Sequence, residues 1–244
     1  MRRYYRVLLT SDASELLVLK PRTRLDAMKA LGMLAKVLGM RERWRAVREA
    51  YGLRWTDGRD YFSAVLSSQT YSSLITKARR LLSSSGHHRG ALEFIALSGL
   101  RVGEALEAMN LYRTEAGNYL NRELMVLEHF RYPARFMRKT KKAYVTVVDD
   151  YMLDLLESSE PLTYNALRMG IRRRLGRDHC PGIFRKIWAT FMRQRGIDPE
   201  VIDLLQGRTP KSIFLRHYYR PDITAILSPV RENLRLLREE LGIG

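Results

Sequence analysis

The sequence is poor in the residues that build disulfide-bonded, metal-binding or membrane-spanning proteins. Its 244 residues include one cysteine, Cys180, and five scattered histidines. A single cysteine excludes an intrachain disulfide and a cysteine-based zinc site, and the histidines lack metal-ligand spacing. No apolar stretch is long enough to span a bilayer, and the run Val7-Leu8-Leu9 is too short for a signal peptide. The sequence therefore predicts a soluble, cytoplasmic protein with no membrane segment.

Acidic residues are scarce relative to basic ones. The chain has 26 Asp and Glu residues against 43 Lys and Arg residues, which gives a net charge of +17 and a pI near 10.3. Residues 1–83 and residues 84–244 both have a basic excess, so the charge does not come from a detachable tail. Such a charge favours nucleic acid as the partner. The alternatives are an anionic membrane and the basic surface of an unrelated enzyme.

Apolar residues recur mostly at helical spacing, which predicts a mainly α fold with one small β element. The predicted helices are residues 23–38, 41–51, 61–82, 90–97, 150–158, 164–176, 183–195, 199–205 and 229–241, with one more beginning near Arg101. Residues 1–20 are predicted as a short strand or arm plus a connector. The β element is a predicted hairpin, with residues 135–137, a basic tip at 138–142 and a β-branched return strand at 143–148.

A short polar segment divides the predicted helices into two groups. Ser83-Ser84-Ser85-Gly86-His87-His88 consists of small and polar residues and lies between two helical patterns. It predicts a domain boundary near residue 83, with a helical module at residues 1–83 and a second domain at residues 84–244.

Two adjacent tyrosines follow a glycine–arginine pair near the C-terminus. Tyr218 and Tyr219 come after Gly207-Arg208, and further basic residues lie between the glycine–arginine pair and the tyrosine pair. A free tyrosine hydroxyl, with a pKa of about 10, is a weak nucleophile at neutral pH. Fixed cations stabilise both its oxyanion and a phosphodiester, so this segment makes a tyrosine a candidate attacker of a phosphodiester.

Four basic residues occupy positions from which they could grip a phosphate. Arg101 follows a Ser-Gly-Leu turn and opens a helix, Arg185 lies in the first turn of an apolar helix, and Arg208 follows a helix-ending glycine. Lys139 belongs to the basic tip of the predicted hairpin. An arginine fork can bind two phosphate oxygens, and a lysine can donate a proton. Each residue alone is explained as simply by a surface ion pair or a solvated charge, so their joint pattern carries the prediction.

That joint pattern resembles the tyrosine recombinase family. Residues 96–106 (ALSGLRVGEAL) resemble its first arginine box, residues 184–191 (FRKIWATF) its second, and residues 204–219 its third box with the nucleophile segment. The predicted lysine hairpin lies between the first two boxes, and the resemblance covers roughly residues 90–220. The sequences of the second and third boxes are most similar to those of integrases of archaeal viruses and plasmids.

The resemblance implies a site-specific DNA recombinase. Tyr218 would attack a DNA phosphate and form a 3′-phosphotyrosyl link, while Arg101, Arg185 and Arg208 stabilise the transition state. Lys139 would protonate the leaving 5′-oxygen as a general acid. The implied architecture is an N-terminal helical core-binding domain that clamps DNA, followed by a catalytic domain. The implied assembly is a homotetramer on double-stranded DNA, which is compatible with a monomer in solution, and the resemblance implies no cofactor or metal.

The second and third boxes depart from the pattern of bacterial relatives. Gly182 stands where a histidine usually precedes the second arginine, Lys186 follows that arginine in place of a frequent histidine, and Arg208 replaces a histidine after glycine. The usual general base is therefore missing, with His179 and Lys186 as its candidate substitutes.

Two assignments within the boxes stay open. Tyr218 is preferred as the nucleophile because the pair His217-Tyr218 fits the archaeal pattern, and Tyr219 is the alternative. Lys139 is preferred as the general acid by counting back from the return strand, and Lys141 is the alternative.

Two other functions fit the same motifs. A type IB topoisomerase-like enzyme would cleave DNA in the same way and rejoin only the original ends. A non-cutting DNA-binding protein would keep the fold and lose the chemistry. The four basic residues together with a tyrosine argue against the second alternative.

Overall fold

The computed structural model describes residues 4–55, 70–138, 141–176, 179–208 and 222–244. The chain divides into two compact units, Met1–Ser68 and Gln69–Gly244. Within the described ranges, no helix combines the length and the apolar character needed to cross a membrane.

The smaller unit is a helical module. Its helices are α1 (Arg6–Thr10), α2 (Ser14–Leu17), α3 (Pro21–Val37) and α4 (Arg41–Ala50). The predicted strand or arm is replaced by α1, which buries Val7 and Leu8, and by α2, which buries Leu16. Helix α4 packs on α3 through Trp44, whose ring lies against Gly32.

The larger unit is built around one buried helix. Its helices are α5 (Tyr71–Ser83), α6 (Arg89–Ser98), α7 (Val102–Tyr119), α8 (Pro133–Phe136), α9 (Asp150–Ser158), α10 (Tyr164–Leu175), α11 (Ile183–Gln194), α12 (Pro199–Leu205) and α13 (Ile223–Leu241). Every residue of α6 from Ala91 to Ser98 is buried. Helices α5, α7, α9, α11 and α13 all contact α6, so this helix is the centre of the core.

The division between the units lies before α5, whereas the sequence predicted a boundary at residue 83. Leu74, Ala78 and Leu81 of α5 are buried in the core of the larger unit, and the Arg79 guanidinium donates two hydrogen bonds to the main-chain oxygen of Glu240. The segment predicted as a linker includes a 3₁₀ turn, Gly86–His88, with His88 buried. Helix α5 thus belongs with the larger unit because its apolar face has its partners there.

Two small antiparallel sheets interrupt the helices. Strand β2 (Val126–Leu127) lies between β1 (Leu120–Asn121) and β5 (Thr146–Val147), while β3 (Met137–Arg138) pairs with β4 (Lys141–Lys142). The prediction of a mainly α protein with a small sheet is confirmed.

The predicted hairpin exists with a different pairing. Only Lys141–Lys142 returns along Met137–Arg138, and the β-branched Thr146–Val147 pairs instead with β2. Residue 136, predicted to be in a strand, lies in the one-turn helix α8, where the Phe136 side chain is buried. The hairpin is therefore shorter than predicted, because its apolar return strand completes a second sheet.

A buried histidine joins the three-stranded sheet to α7. His129 is fully buried, with Nδ1 2.5 Å from the Tyr119 hydroxyl and Nε2 2.7 Å from the Thr146 hydroxyl. Both ring nitrogens therefore have hydrogen-bond partners inside the core. Burial lowers the pKa of His129 to about 3, so the ring is neutral at physiological pH.

We expect His129 to make stability depend on pH. The unfolded histidine keeps a pKa near 6.5 while the folded one lies near 3, so only the unfolded chain takes up this proton in between. The free energy of unfolding should fall as the pH decreases below about 6.5, by up to about 1.4 kcal/mol per pH unit. Urea unfolding at a series of pH values measures this slope.

The variant His129→Gln is the control, because it keeps hydrogen-bonding groups and does not titrate. Burial also lowers the pKa of His88, which contributes to the pH dependence of stability with the same sign in the wild type and in the variant. The difference between the two slopes therefore isolates His129. Equal slopes would contradict the expectation.

Candidate active site

Arg185 is held by main-chain oxygens from two distant turns. It lies in the first turn of α11, whose apolar side, with Phe184 and Trp188, is buried in the core. Its Nη1 donates to the Gly99 oxygen at 3.0 Å, and its Nη2 donates to the Gln206 oxygen. The Gln206 side chain donates in return to the Arg185 main-chain oxygen at 3.0 Å. Arg185 therefore ties the turn before α7 to the turn after α12.

The first of these turns requires glycine. Gly99 ends α6 with φ +65°, a conformation that other residues adopt at a cost. A Cβ on Gly99 would also lie 2.7 Å from the Trp188 ring. Because Gly99 has no side chain, the Trp188 ring of α11 packs against the turn whose main-chain oxygen accepts a hydrogen bond from Arg185.

Arg101 begins α7 and is oriented by a buried carboxylate. Glu104 accepts hydrogen bonds from the Arg101 main-chain nitrogen at 3.1 Å and from its Nη1 at 2.7 Å. The Glu104 side chain is 2% exposed and that of Arg101 is 31% exposed. Arg101 Nη1 also lies 3.4 Å from the main-chain oxygen of Lys142. The buried end of this ion pair is fixed, and the guanidinium reaches the surface.

Arg208 follows the turn that ends α12. Its main-chain nitrogen donates to the Asp203 oxygen at 2.7 Å, and its guanidinium forms an ion pair with the Asp203 carboxylate. The Arg208 side chain is 53% exposed, so it is the most accessible of the three predicted arginines.

The three arginines interact electrostatically. Burial, together with the positive charges of Arg101 and Arg208, lowers the pKa of Arg185 to about 10, while Glu104 and Asp203 oppose this shift. Arg185 remains protonated at neutral pH. Three guanidinium groups and two carboxylates leave a net positive cluster, which suits an anion such as phosphate.

The β3–β4 hairpin packs directly on this cluster. The Lys142 main-chain oxygen, which Arg101 contacts, would lie 1.6 Å from a Cβ on Gly207. Gly207 also has φ +66°, so glycine serves both the turn and the close contact. The predicted lysine hairpin therefore lies beside the arginines. Lys139 itself is outside the described residues, and the structure describes only the backbone of Lys141.

The candidate substitutes for the missing base differ in environment. His179 lines a cavity of about 590 Å³ between α10 and the start of α7. Its Nδ1 is buried and has no hydrogen-bond partner among the described residues. Lys186 is exposed on α11. Gly182 is the N-cap of α11, where a Cβ would lie 3.4 Å from the Cys180 sulfur.

The structure adds contacts that the sequence did not indicate. Glu104 could have been found from its position three residues after the N-cap, where a carboxylate often binds the free main-chain nitrogen. The bond from Arg185 to the Gln206 oxygen had no such signal, because every residue has a main-chain oxygen. The same holds for the Lys142 oxygen.

The two candidate nucleophiles, Tyr218 and Tyr219, lie outside the described residues, immediately before α13. In this structure α13 packs on its own unit, with Val230, Leu234 and Leu237 fully buried.

Comparison with known proteins gives the class of this chain. A family model described as archaeal phage integrase matches residues 69–225, which is more than half of the sequence and begins where the larger unit begins. The class is therefore that of integrases, site-specific recombinases whose partner is DNA. Within that class, this chain belongs to the archaeal phage integrase family. No curated protein and no solved structure shows significant similarity to it.

The contact between β4 and Gly207 predicts unequal effects of two alanine substitutions. Gly196 and Gly207 have φ values of +84° and +66°, so alanine costs about 1 kcal/mol in backbone strain at either position. A Cβ on Gly196 meets nothing within 4 Å, whereas one on Gly207 meets the Lys142 oxygen. We expect Gly207→Ala to lose about 1–3 kcal/mol more unfolding free energy than Gly196→Ala. Urea unfolding measures both, and equal losses would contradict the contact.

Proposed function

We propose that this integrase cleaves and rejoins DNA through a 3′-phosphotyrosyl intermediate formed by Tyr218. The observation that carries the proposal is the meeting of Arg101, Arg185 and Arg208 in one net positive cluster. These arginines come from three distant segments of the chain, and the hairpin that carries Lys139 packs beside them. A cluster of this kind suits a scissile phosphate.

The proposed reaction conserves the energy of the phosphodiester. The Tyr218 hydroxyl gives its proton to a base, for which His179 and Lys186 are the candidates, and takes it back in the reverse step. The Tyr218 oxygen attacks phosphorus, a new P–O bond to tyrosine forms, and the bond to the 5′-oxygen breaks. Lys139 gives a proton to that oxygen, which leaves as a 5′-hydroxyl. A 5′-hydroxyl from a second strand attacks the phosphotyrosine in the reverse step, which exchanges the strands and releases the tyrosine. The balance of atoms and charge needs no ATP and no redox partner.

The arginines would act mainly on the transition state. A phosphodiester carries one negative charge, and the five-coordinate transition state carries one more, so fixed cations bind it more tightly than they bind the substrate. Within the described part of the chain, Arg185 gives two N–H groups to main-chain oxygens, and a guanidinium has five, which leaves donors for phosphate oxygens. Its orientation is set before DNA binds, which is the condition for electrostatic catalysis.

The smaller unit would clamp the DNA. Helices α3 and α4 carry exposed basic side chains, among them Lys29, Lys36, Arg41 and Arg45. Such residues contribute salt-dependent affinity for phosphates without reading sequence. Strand exchange between two duplexes requires several active sites, and we propose a homotetramer on DNA for that step.

A nicked suicide substrate tests the nucleophile. Such a duplex loses a short 5′-hydroxyl fragment after cleavage, so the covalent adduct accumulates and is visible on a denaturing gel. We expect the adduct with the wild type and with Tyr219→Phe, and its loss with Tyr218→Phe. Loss with Tyr219→Phe alone would move the nucleophile to Tyr219, and no adduct from the wild type would favour a non-cutting DNA-binding protein.

A strand-exchange assay with two DNA sites tests the outcome of cleavage. We expect recombinant products from the wild type, because the stored phosphotyrosyl bond is open to a 5′-hydroxyl from another duplex. Relaxation of supercoiled DNA without recombinants would instead support the type IB topoisomerase-like alternative.

Arg185 should matter for the rate and little for DNA affinity. Lysine has no planar fork, so Arg185→Lys loses at least one carbonyl contact and its fixed direction. We expect the single-turnover cleavage rate to fall about 10²–10³-fold, with the dissociation constant for DNA nearly unchanged.

Arg193→Lys is the matched control. Arg193 lies on the same helix and also donates to a main-chain oxygen, that of Ile197, while its side chain is exposed. It should cleave at the wild-type rate. An equal loss in both variants would indicate a general effect on α11 and contradict the assigned role.

A further inference from the structure

Arg208 has a partner that the proposed chemistry does not use. The Asp203 carboxylate pairs with its guanidinium, and the Asp203 main-chain oxygen accepts from its main-chain nitrogen. One residue of α12 therefore holds both the backbone and the side chain of Arg208. The Asp203 side chain is 45% exposed, so solvent and DNA have access to this pair.

The carboxylates that pair with Arg101 and Arg208 differ in burial. Glu104 is 2% exposed and is fixed by two hydrogen bonds from Arg101. Asp203 lies at the surface, where an ordinary ion pair contributes about 0–1 kcal/mol to stability. The pair therefore contributes little to folding, so stability alone does not explain why this carboxylate lies beside a candidate active site.

The electrostatics of the arginine cluster give a stronger reason for the carboxylate. Arg208 adds its charge to those of Arg185 and Arg101, and the cations disfavour one another, while Asp203 opposes this effect. Arg208 is also the most exposed of the three, so without a counter-charge its long side chain would turn to water. Ordering it only after DNA arrives would cost side-chain entropy during the reaction.

We propose that Asp203 is a positioning residue that holds the Arg208 guanidinium in place for the scissile phosphate, an inference that rests on the proposed function. Arginine has five N–H donors, so Arg208 keeps one on Asp203 and offers others to the phosphate. The carboxylate would repel the developing charge of the transition state, and the Arg208 guanidinium that it holds would outweigh this repulsion by contacting the phosphate directly.

Cleavage kinetics on the nicked duplex test this role in the full chain. We expect Asp203→Asn to lower the cleavage rate at saturating DNA about tenfold or more, with DNA affinity changed less than about twofold. Asp203→Glu should recover part of the rate because it restores the charge. In the Arg208→Ala background, Asp203→Asn should have no further effect, because Asp203 acts through Arg208.

Glu239→Gln is the matched control for an ion pair. Glu239 pairs with Arg235 at 2.7 Å on α13, and both side chains are exposed. This variant should cleave DNA at the wild-type rate. Thermal unfolding of every variant shows whether a slower rate reflects a less stable fold.

Three kinetic results would overturn the inference while the proposed function stands. Wild-type cleavage by Asp203→Asn would make the pair an ordinary surface contact. Faster cleavage or tighter DNA binding would make Asp203 a competitor of the phosphate. Equal slowing with and without Arg208 would show an effect that does not pass through that side chain.

A measurement on the DNA-free protein keeps the two proposals separable. Nitrogen-15 NMR of the arginine side chains reports how fast the Arg208 guanidinium turns, with Arg208→Ala identifying its signal. We expect slow turning in the wild type and fast turning in Asp203→Asn. Equal mobility in both overturns the role of Asp203 even if the wild type forms no DNA adduct, which would count against the proposed function alone.

Discussion

The guanidinium of Arg185 joins the three arginine segments of the larger unit, and the rest of the candidate site depends on this contact. It donates to the oxygens of Gly99 and Gln206, which come from turns far apart in the chain. Carbonyl oxygens carry only partial charges, so they direct the side chain without neutralising it. Partial burial lowers the pKa to about 10, which still leaves the group charged at neutral pH. A cation fixed in this way needs no reordering when an anion arrives.

The core explains why the contact can form. Trp188 anchors α11 against Gly99, where any Cβ would collide with the ring, and α6 brings that turn into the centre of the unit. On the other side, Gly207 allows the Lys142 oxygen to approach the turn after α12. Two glycines at the turns and one large ring in the core therefore hold three surface segments at fixed distances. The site is precise because its supports are buried.

The charges around the site divide into fixed and accessible groups. Glu104 is buried and binds the start of α7, so Arg101 has little freedom. Asp203 and Arg208 lie near the surface, where their ion pair is accessible to a ligand. The net positive cluster suits an anion such as phosphate, and the two carboxylates reduce the repulsion among its cations. Membership of the archaeal phage integrase family gives the protein a DNA partner.

The sequence by itself determined the mainly helical class, the order of the arginine boxes and the bounds of several helices, of which residues 150–158 and 199–205 agree residue for residue. These features depend on local periodicity and on motifs within short segments. Only the tertiary structure decided that α5 packs with the larger unit, that Thr146–Val147 pairs with β2, and that Arg185 binds two carbonyl oxygens. These outcomes depend on contacts between residues far apart in the chain, often through main-chain atoms that every residue shares, so no local pattern of side chains encodes them.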